Sequence, residues 1–332
     1  MAHGQAVARG RVLSRACHGK QTIYLNVVAP LNKKDSAMIR QDFLDSVECL
    51  EDVVYKTVKG HEMKLDLYRP KGGPRERTPL LILLHGGGWF RQDKKHEVVE
   101  RFLNWMGEEV ILKDGWQIAA VEYRMLKDHA EFPDQLYDCC DAVRYMIRHA
   151  EKYGVDPRNI LVGGSSAGGY AAVMMASETK KWKEDPELAD IDFDIAAAVS
   201  FSGVLDVEWI VKSGDRKVDE TGDGRIRYCM QCLLSRGRLH DEKLWKESSP
   251  RSYMGPQSRP CLLVYGTADS LVTPDHAADM YRQAKEMGLD WEELAVINGE
   301  HNFAPGTAEQ PTVPDTRSIY RTARDFLRRH LR

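Results

Sequence analysis

The stretch Asn159-Ile160-Leu161-Val162-Gly163-Gly164-Ser165-Ser166-Ala167-Gly168-Gly169-Tyr170-Ala171-Ala172 decides the reading of this chain. Its first four residues are a short apolar run of strand type, and its last four open a helix of small residues. Between them, Gly164-Ser165-Ser166-Ala167-Gly168 fits the pattern G-x-S-x-G. In a strand-to-helix setting that pattern is a sharp turn that needs small neighbours and leaves the central hydroxyl exposed at the strand's carboxyl end. The following helix N-terminus adds positive potential suited to a developing anion. A Gly/Ser-rich turn that merely permits close packing explains the same letters, so the motif needs partners. Ser165 competes on composition, but only Ser166 holds the central position.

Working outward, the same apolar strand signature recurs in Pro79-Leu80-Leu81-Ile82-Leu83-Leu84 and in residues 116–121, 195–201 and 261–265. Continuous apolar runs of that length suit strands buried on both faces. Residues 53–58 and 62–68 form an alternating pair joined at Lys59-Gly60. A helical stripe runs through Leu136, Cys140, Val143, Ile147 and Ala150 and is closed by Gly154. Residues 317–332 carry periodic Ile319, Ala323, Phe326 and Leu331, the pattern of a final amphipathic helix. Strand–helix alternation predicts an α/β fold, a mostly parallel central sheet with helices on both faces. Residues 1–50 precede it as an N-terminal arm or cap segment. Residues 51–332 form the main domain, with 203–255 as a polar, partly helical, lid-like insertion. There is no internal repeat and no low-complexity segment.

A serine nucleophile needs an oxyanion hole, a base and an acid to orient the base. His85-Gly86-Gly87-Gly88-Trp89 sits at the carboxyl end of the strand 79–84. Its glycines free the backbone to aim amides at a ligand, and with the Ala167 amide they supply an oxyanion hole. The loop lacks the Lys-Ser/Thr of a P-loop and the G-x-G-x-x-G of a dinucleotide site. Trp89 is a candidate substrate contact, with plain packing the equal alternative. Of eleven histidines, His301 follows the strand-like 294–297 near the C-terminus. His276 is the next candidate for the base, but Thr273-Pro274-Asp275-His276 reads as a helix start, with Thr273 as cap and Pro274 at the first helical position, which makes a first-turn surface residue its simpler role. Asp269, just past the strand 261–265, is the acid candidate, while Asp275 has helix capping as its simpler role. The order Ser166, Asp269, His301 is the chain order of a hydrolase triad on such a sheet.

On these residues the chain resembles α/β-hydrolase esterases of the hormone-sensitive-lipase type, and within them the carbohydrate-esterase relatives (acetylxylan and feruloyl esterases). The resemblance covers about residues 53–330. It implies the α/β-hydrolase fold, with Gly86, Gly87, Gly88 and Ala167 at the oxyanion, Ser166 as nucleophile, Asp269 as acid and His301 as base. Tyr123-Arg124 and Phe132-Pro133-Asp134 match the family's supporting segments. Many members of the lipid-ester group carry Asp immediately before the nucleophile, where this chain has Ser165, so the resemblance leans to the carbohydrate side. The activity implied is a serine carboxylesterase acting on small acyl or hydroxycinnamoyl esters, on carbohydrates, through an acyl-enzyme, with no cofactor and no metal. An arylformamidase or other amide hydrolase uses the same triad. A catalytically inactive hydrolase-fold binding protein is the alternative outside enzymes, but such proteins typically lack a nucleophile or base that this chain has.

Composition narrows the rest. The 332 residues carry 47 Lys+Arg against 50 Asp+Glu, a net charge of −3 that gives no electrostatic reason for nucleic-acid binding. No apolar run is long enough to span a membrane. Seven cysteines at irregular spacing favour a reducing compartment and a cytoplasmic location. Cys229-Met230-Gln231-Cys232 is a lone C-x-x-C and a poor zinc or redox candidate. Residues 1–34 hold six basic residues and no acid, with a transit peptide as the minor reading and a native start at Met38 as another. The expected partner is a small-molecule or carbohydrate ester, with room left for a homo-oligomer.

Overall fold

The computed structural model describes residues 43, 45–74, 76–91, 93–94, 102–212, 225–307 and 309–332. Eight strands form one sheet in the order β1-β2-β4-β3-β5-β6-β7-β8. They are β1 (Val47–Val58), β2 (His61–Pro70), β3 (Thr78–Leu84), β4 (Gln117–Val121), β5 (Val155–Ser165), β6 (Ala197–Phe201), β7 (Cys261–Gly266) and β8 (Trp291–Val296). β2 runs antiparallel to both its neighbours, and all other pairings are parallel. The hairpin between β1 and β2 turns at Lys59 and Gly60, both at positive φ (+51° and +82°), the backbone that matches the twist of paired strands.

The central strands are apolar throughout because both their faces are covered. Leu80, Ile82 and Leu84 of β3 join one core layer with Leu136 and Val143 of α1 (Asp134–Arg148) and the wholly buried α2 (Ala167–Ser177). The alternate residues Leu81 and Leu83 join the opposite layer. There they meet Val110 and Ile111 of the segment Leu103–Lys113, and Ile319, Ala323 and Phe326 of the C-terminal helix. Leu103–Lys113 is wound with wide turns, as in the bond from the Asp114 N–H to the Glu109 carbonyl (3.0 Å).

The region 203–255 differs from expectation. Its helices α3 (Arg225–Leu234) and α4 (Glu242–Ser248) bury Ile226, Met230, Leu233, Leu244 and Trp245 in the main core. The apolar positions of α3 recur at helical spacing between arginines, so one face docks on the body instead of standing off as a separate polar lid. Residues 213–224 lie outside the described residues, as do residues 1–42 of the expected arm. The boundary at residue 50 falls inside β1. Helix α5 (Asp275–Glu286) has Pro274, not Thr273, at its cap position, and no side chain caps it. The last helix, α6 (Thr316–Arg329), is capped by the Asp315 carboxylate, which accepts from Ser318 N–H (3.0 Å). Among the described residues no helix is long and apolar enough to cross a membrane.

One buried ionic network ties β1 to α1. Lys56 reaches Asp138 (2.7 Å), Asp141 (3.0 Å) and Glu184 (2.8 Å). Arg124 forks onto Asp138, and Arg144 bonds Asp141 (2.8 Å). Burial pushes the Lys56 ammonium down, but the Asp138 and Asp141 carboxylates outweigh it and hold the group above its ordinary value. Removing one partner of such a set leaves an uncompensated buried charge, so Lys56→Met is expected to cost ~3–5 kcal/mol in urea unfolding. Lys113→Met, at an exposed pair with Glu109, should cost under ~0.5 kcal/mol. Equal midpoints for the two variants would contradict this account.

Candidate active site

The site is assembled at the carboxyl ends of β3, β5, β7 and β8. β5 ends at Ser165 and α2 begins at Ala167, so the chain reverses on Ser166 alone. That residue takes φ +54°, ψ −114°, a conformation that costs ~1–3 kcal/mol in a non-glycine residue. Its N–H donates to the Phe201 carbonyl of β6 (2.8 Å), and its carbonyl accepts from Tyr170 N–H (2.9 Å). A Cβ on Gly164 would fall 2.3 Å from the Gly168 carbonyl oxygen, and one on Gly168 would fall 2.1 Å from the Leu84 oxygen of β3. The two glycines of the motif are therefore required by contact with backbone. Ser166 is half-buried, and Ala167, as the first residue of α2, keeps an amide with no intrahelical acceptor.

The glycine loop after β3 is held from below. Tyr123 donates from its hydroxyl to the His85 carbonyl (2.7 Å) and stacks on the His85 ring at 4.3 Å. Burial pushes the Tyr123 hydroxyl far above its ordinary range, which keeps it a donor. Leu126 N–H donates to the Trp89 carbonyl (2.8 Å). Arg124, between these anchors, is fixed by Asp138, which also accepts its backbone N–H (2.7 Å). Gly87 and Gly88 take φ +106° and +60°. A Cβ on Gly88 would meet Cys229 Sγ of α3 at 2.6 Å, so the 203–255 region closes on the loop here. Trp89 is 1 % exposed and edge-on to Tyr170 (5.4 Å), a packing position with little surface left for a ligand.

Asp269 and His301 meet. His301 Nδ1 donates to Asp269 Oδ2 at 2.8 Å, while Asp269 Oδ1 accepts from Leu271 N–H (2.9 Å) and Val272 N–H (2.8 Å). A carboxylate only accepts, so Nδ1 carries the proton and Nε2 is left as the basic nitrogen. The two loops are zipped together by Ala268 N–H to the Gly299 carbonyl (2.9 Å) and by Glu300, whose Oε2 accepts from Ser270 N–H (3.0 Å). Gly266 permits this contact, since a Cβ there would lie 2.1 Å from the Gly299 oxygen. Asp275 is exposed at the start of α5, apart from this pair. Among the described residues no hydrogen bond joins the Ser166 hydroxyl to His301, a contact that in ligand-free enzymes is often long. No group of three or more His, Cys, Asp and Glu among the described residues is placed to hold a metal ion.

The BD-FAE family model matches residues 65–284, two thirds of the chain. The chain belongs to that family. A probable carboxylic ester hydrolase of Mycobacterium tuberculosis, LipM, is 25% identical over 239 residues, which are 71% of this chain and 52% of LipM. The chain spans about half the length of the curated relatives it matches. Among solved structures, a truncated form of a carbohydrate esterase from gut microbiota aligns with a TM-score of 0.63 at 19% identity, over 86% of this chain and 97% of that one. Propionate-bound Est2 of Thermogutta terrifontis aligns with a TM-score of 0.64 at 23% identity, over 86% and 94%. The shared fold is the α/β-hydrolase fold.

Sequence reasoning missed two contributors. Glu300 is adjacent to His301, but its bond to Ser270 depends on loop packing that no local pattern announces. His276, read as a surface residue, is 1 % exposed, because the first turn of α5 lies against the backbone after β6. Gly168→Ala drives a methyl into the β3 backbone and should lower the Tm by ~1.5–4 °C, equivalent to ~1–3 kcal/mol of overpacking. Gly237→Ala, with open space around it, should leave the Tm within ~1 °C. Calorimetry of both variants checks the contact, and equal Tm values would contradict it.

Proposed function

We propose that the chain is a serine carboxylesterase in which Ser166, His301 and Asp269 form the triad. The reading is carried by the 2.8 Å bond from His301 Nδ1 to Asp269 Oδ2, at the same carboxyl edge of the sheet as the strained serine turn. His301 Nε2 takes the proton as Ser166 Oγ bonds to the ester carbonyl carbon. The amides of the Gly86–Gly88 loop and of Ala167 stabilise the oxyanion. Collapse of that intermediate expels the alcohol, which receives the proton from His301. Water, deprotonated in turn by His301, then cleaves the acyl-enzyme and releases the acid. Relatives named as carboxylic ester hydrolases support this chemistry.

The substrate is a small acyl or hydroxycinnamoyl ester, carried on a carbohydrate. Two observations favour a short acyl group. Cys229 closes directly on Gly88, and the apolar face of α3 is spent on the core instead of lining a wall for an alkyl chain. The carbohydrate esterase among the structural neighbours accords with the sugar, though at its identity it argues for fold alone.

Ser166→Ala should fold normally and lose at least ~10³-fold in kcat, while Ser165→Ala retains turnover. Asp269→Asn should lower kcat by orders of magnitude through the wrong His301 tautomer, whereas Asp275→Asn costs at most ~1 kcal/mol of stability. On p-nitrophenyl esters of two to twelve carbons, kcat/KM should peak at the short end, because each methylene without a pocket forfeits its ~1 kcal/mol or more. A maximum at eight carbons or beyond would refute the short-acyl reading, and full activity in Ser166→Ala would refute the triad.

A further inference from the structure

His276 is a buried imidazole that the proposed chemistry does not use. It lies between the two halves of the site. On one edge, Nδ1 is 2.5 Å from the carbonyl of Thr273, which ends the turn begun by Asp269. That turn is the one whose Leu271 and Val272 amides hold the Asp269 carboxylate. On the other edge, Nε2 is 3.3 Å from the carbonyl of Gly203. Gly203 lies two residues after Phe201, the acceptor for the Ser166 amide, and packs so closely on α2 that a Cβ there would lie 2.8 Å from the Gly169 carbonyl carbon. One ring thus touches both the mount of Asp269 and the mount of Ser166.

Ring chemistry says which contact matters. Burial pushes the imidazole below its ordinary value, and the two carbonyls with the nearby carboxylates of Asp206 and Asp269 oppose this only in part. A neutral ring has one N–H to give, and the shorter distance assigns it to the Thr273 carbonyl. The ring borders a cavity of about 10 Å³ whose lining mixes Ser200, Ser202 and Thr273 with apolar Leu205, Leu263 and Val272. The unprotonated Nε2 edge rests against the Gly203 carbonyl as a packing contact at 3.3 Å.

We propose that His276 is a positioning residue that braces the Asp269 turn against the segment carrying the Ser166 backbone, its N–H fixing the ring on the Thr273 carbonyl while the opposite edge packs on Gly203. The inference rests on the triad reading above, and the dead Ser166→Ala variant tests that reading separately. When the brace is lost, the Asp269 carboxylate drifts from His301, and the protonated base loses its counter-charge.

The test compares two substitutions of similar size and polarity. His276→Asn keeps a donor where Nδ1 stands, and His276→Gln moves the donor out toward the Nε2 position. The Asn variant should keep kcat within ~3-fold and leave the acid limb of the kcat/KM–pH profile in place. The Gln variant should lose ~10- to 100-fold in kcat, the scale of a misplaced catalytic group, with its acid limb moved to lower pH. A merely structural role would lower Tm without moving that limb. A folded Gln variant with the wild-type limb overturns the proposal. Should the Gln variant not fold, His276→Ala takes its place: an acid limb moved to lower pH, with the Asn limb unmoved, supports the brace, and a wild-type limb in the Ala variant overturns it.

Discussion

The constraint on which the rest of the structure depends is backbone contact between strand β3 and the turn that leaves β5. The Gly168 Cα sits so near the Leu84 carbonyl that no side chain fits between them, and Ser166 is forced to a left-handed φ. That contact fixes the spacing of β3, β5 and α2 at one point. The glycine loop after β3 and the amide of Ala167 are thereby placed on the same side of the sheet as the serine. Strain at one residue is tolerated because α2 is wholly buried and β5 is buried from Asn159 to Gly164, so neither can relax it.

Precision at that edge is maintained from underneath. The Tyr123–Leu126 segment holds the glycine loop through two hydrogen bonds, and that segment is itself held by Arg124 on Asp138. Asp138 belongs to a buried set in which Lys56, Arg124 and Arg144 balance Asp138, Asp141 and Glu184. Such a set is weak as a source of net stability, since desolvation offsets most of its attraction. Its effect is positional: directed bonds leave β1, α1 and the loop after β4 a single relative arrangement. On the opposite flank, paired backbone bonds and Glu300 do the same for the Asp269 and His301 loops.

The central sheet was legible in the sequence because a strand buried on both faces must be apolar at every position, as in Leu80 to Leu84. The turn at Ser166 was legible because close backbone contact admits only glycine at two fixed places. Asp269 and His301 were legible by position, each just past a strand. What the sequence hid depends on contacts between distant segments. Helix α3 opens with Arg225 and Arg227, so the region looks polar, yet Ile226, Met230 and Leu233 face the core. His276 looks like an exposed first-turn residue until the helix is seen against Gly203. Trp89 follows Gly86–Gly88, yet it turns inward at φ +63° to pack on Tyr170.

The central claim, that the strained turn presents Ser166 as the activated nucleophile, is tested most directly by locating a covalent adduct. The intact chain would be treated with a fluorophosphonate, digested, and its peptide 159–180 region sequenced by tandem mass spectrometry. The account predicts one phosphonyl group per chain, on Ser166, with labelling abolished in Asp269→Asn at matched times because the base is no longer oriented. A label on Ser165, or no label on a correctly folded chain, would contradict it.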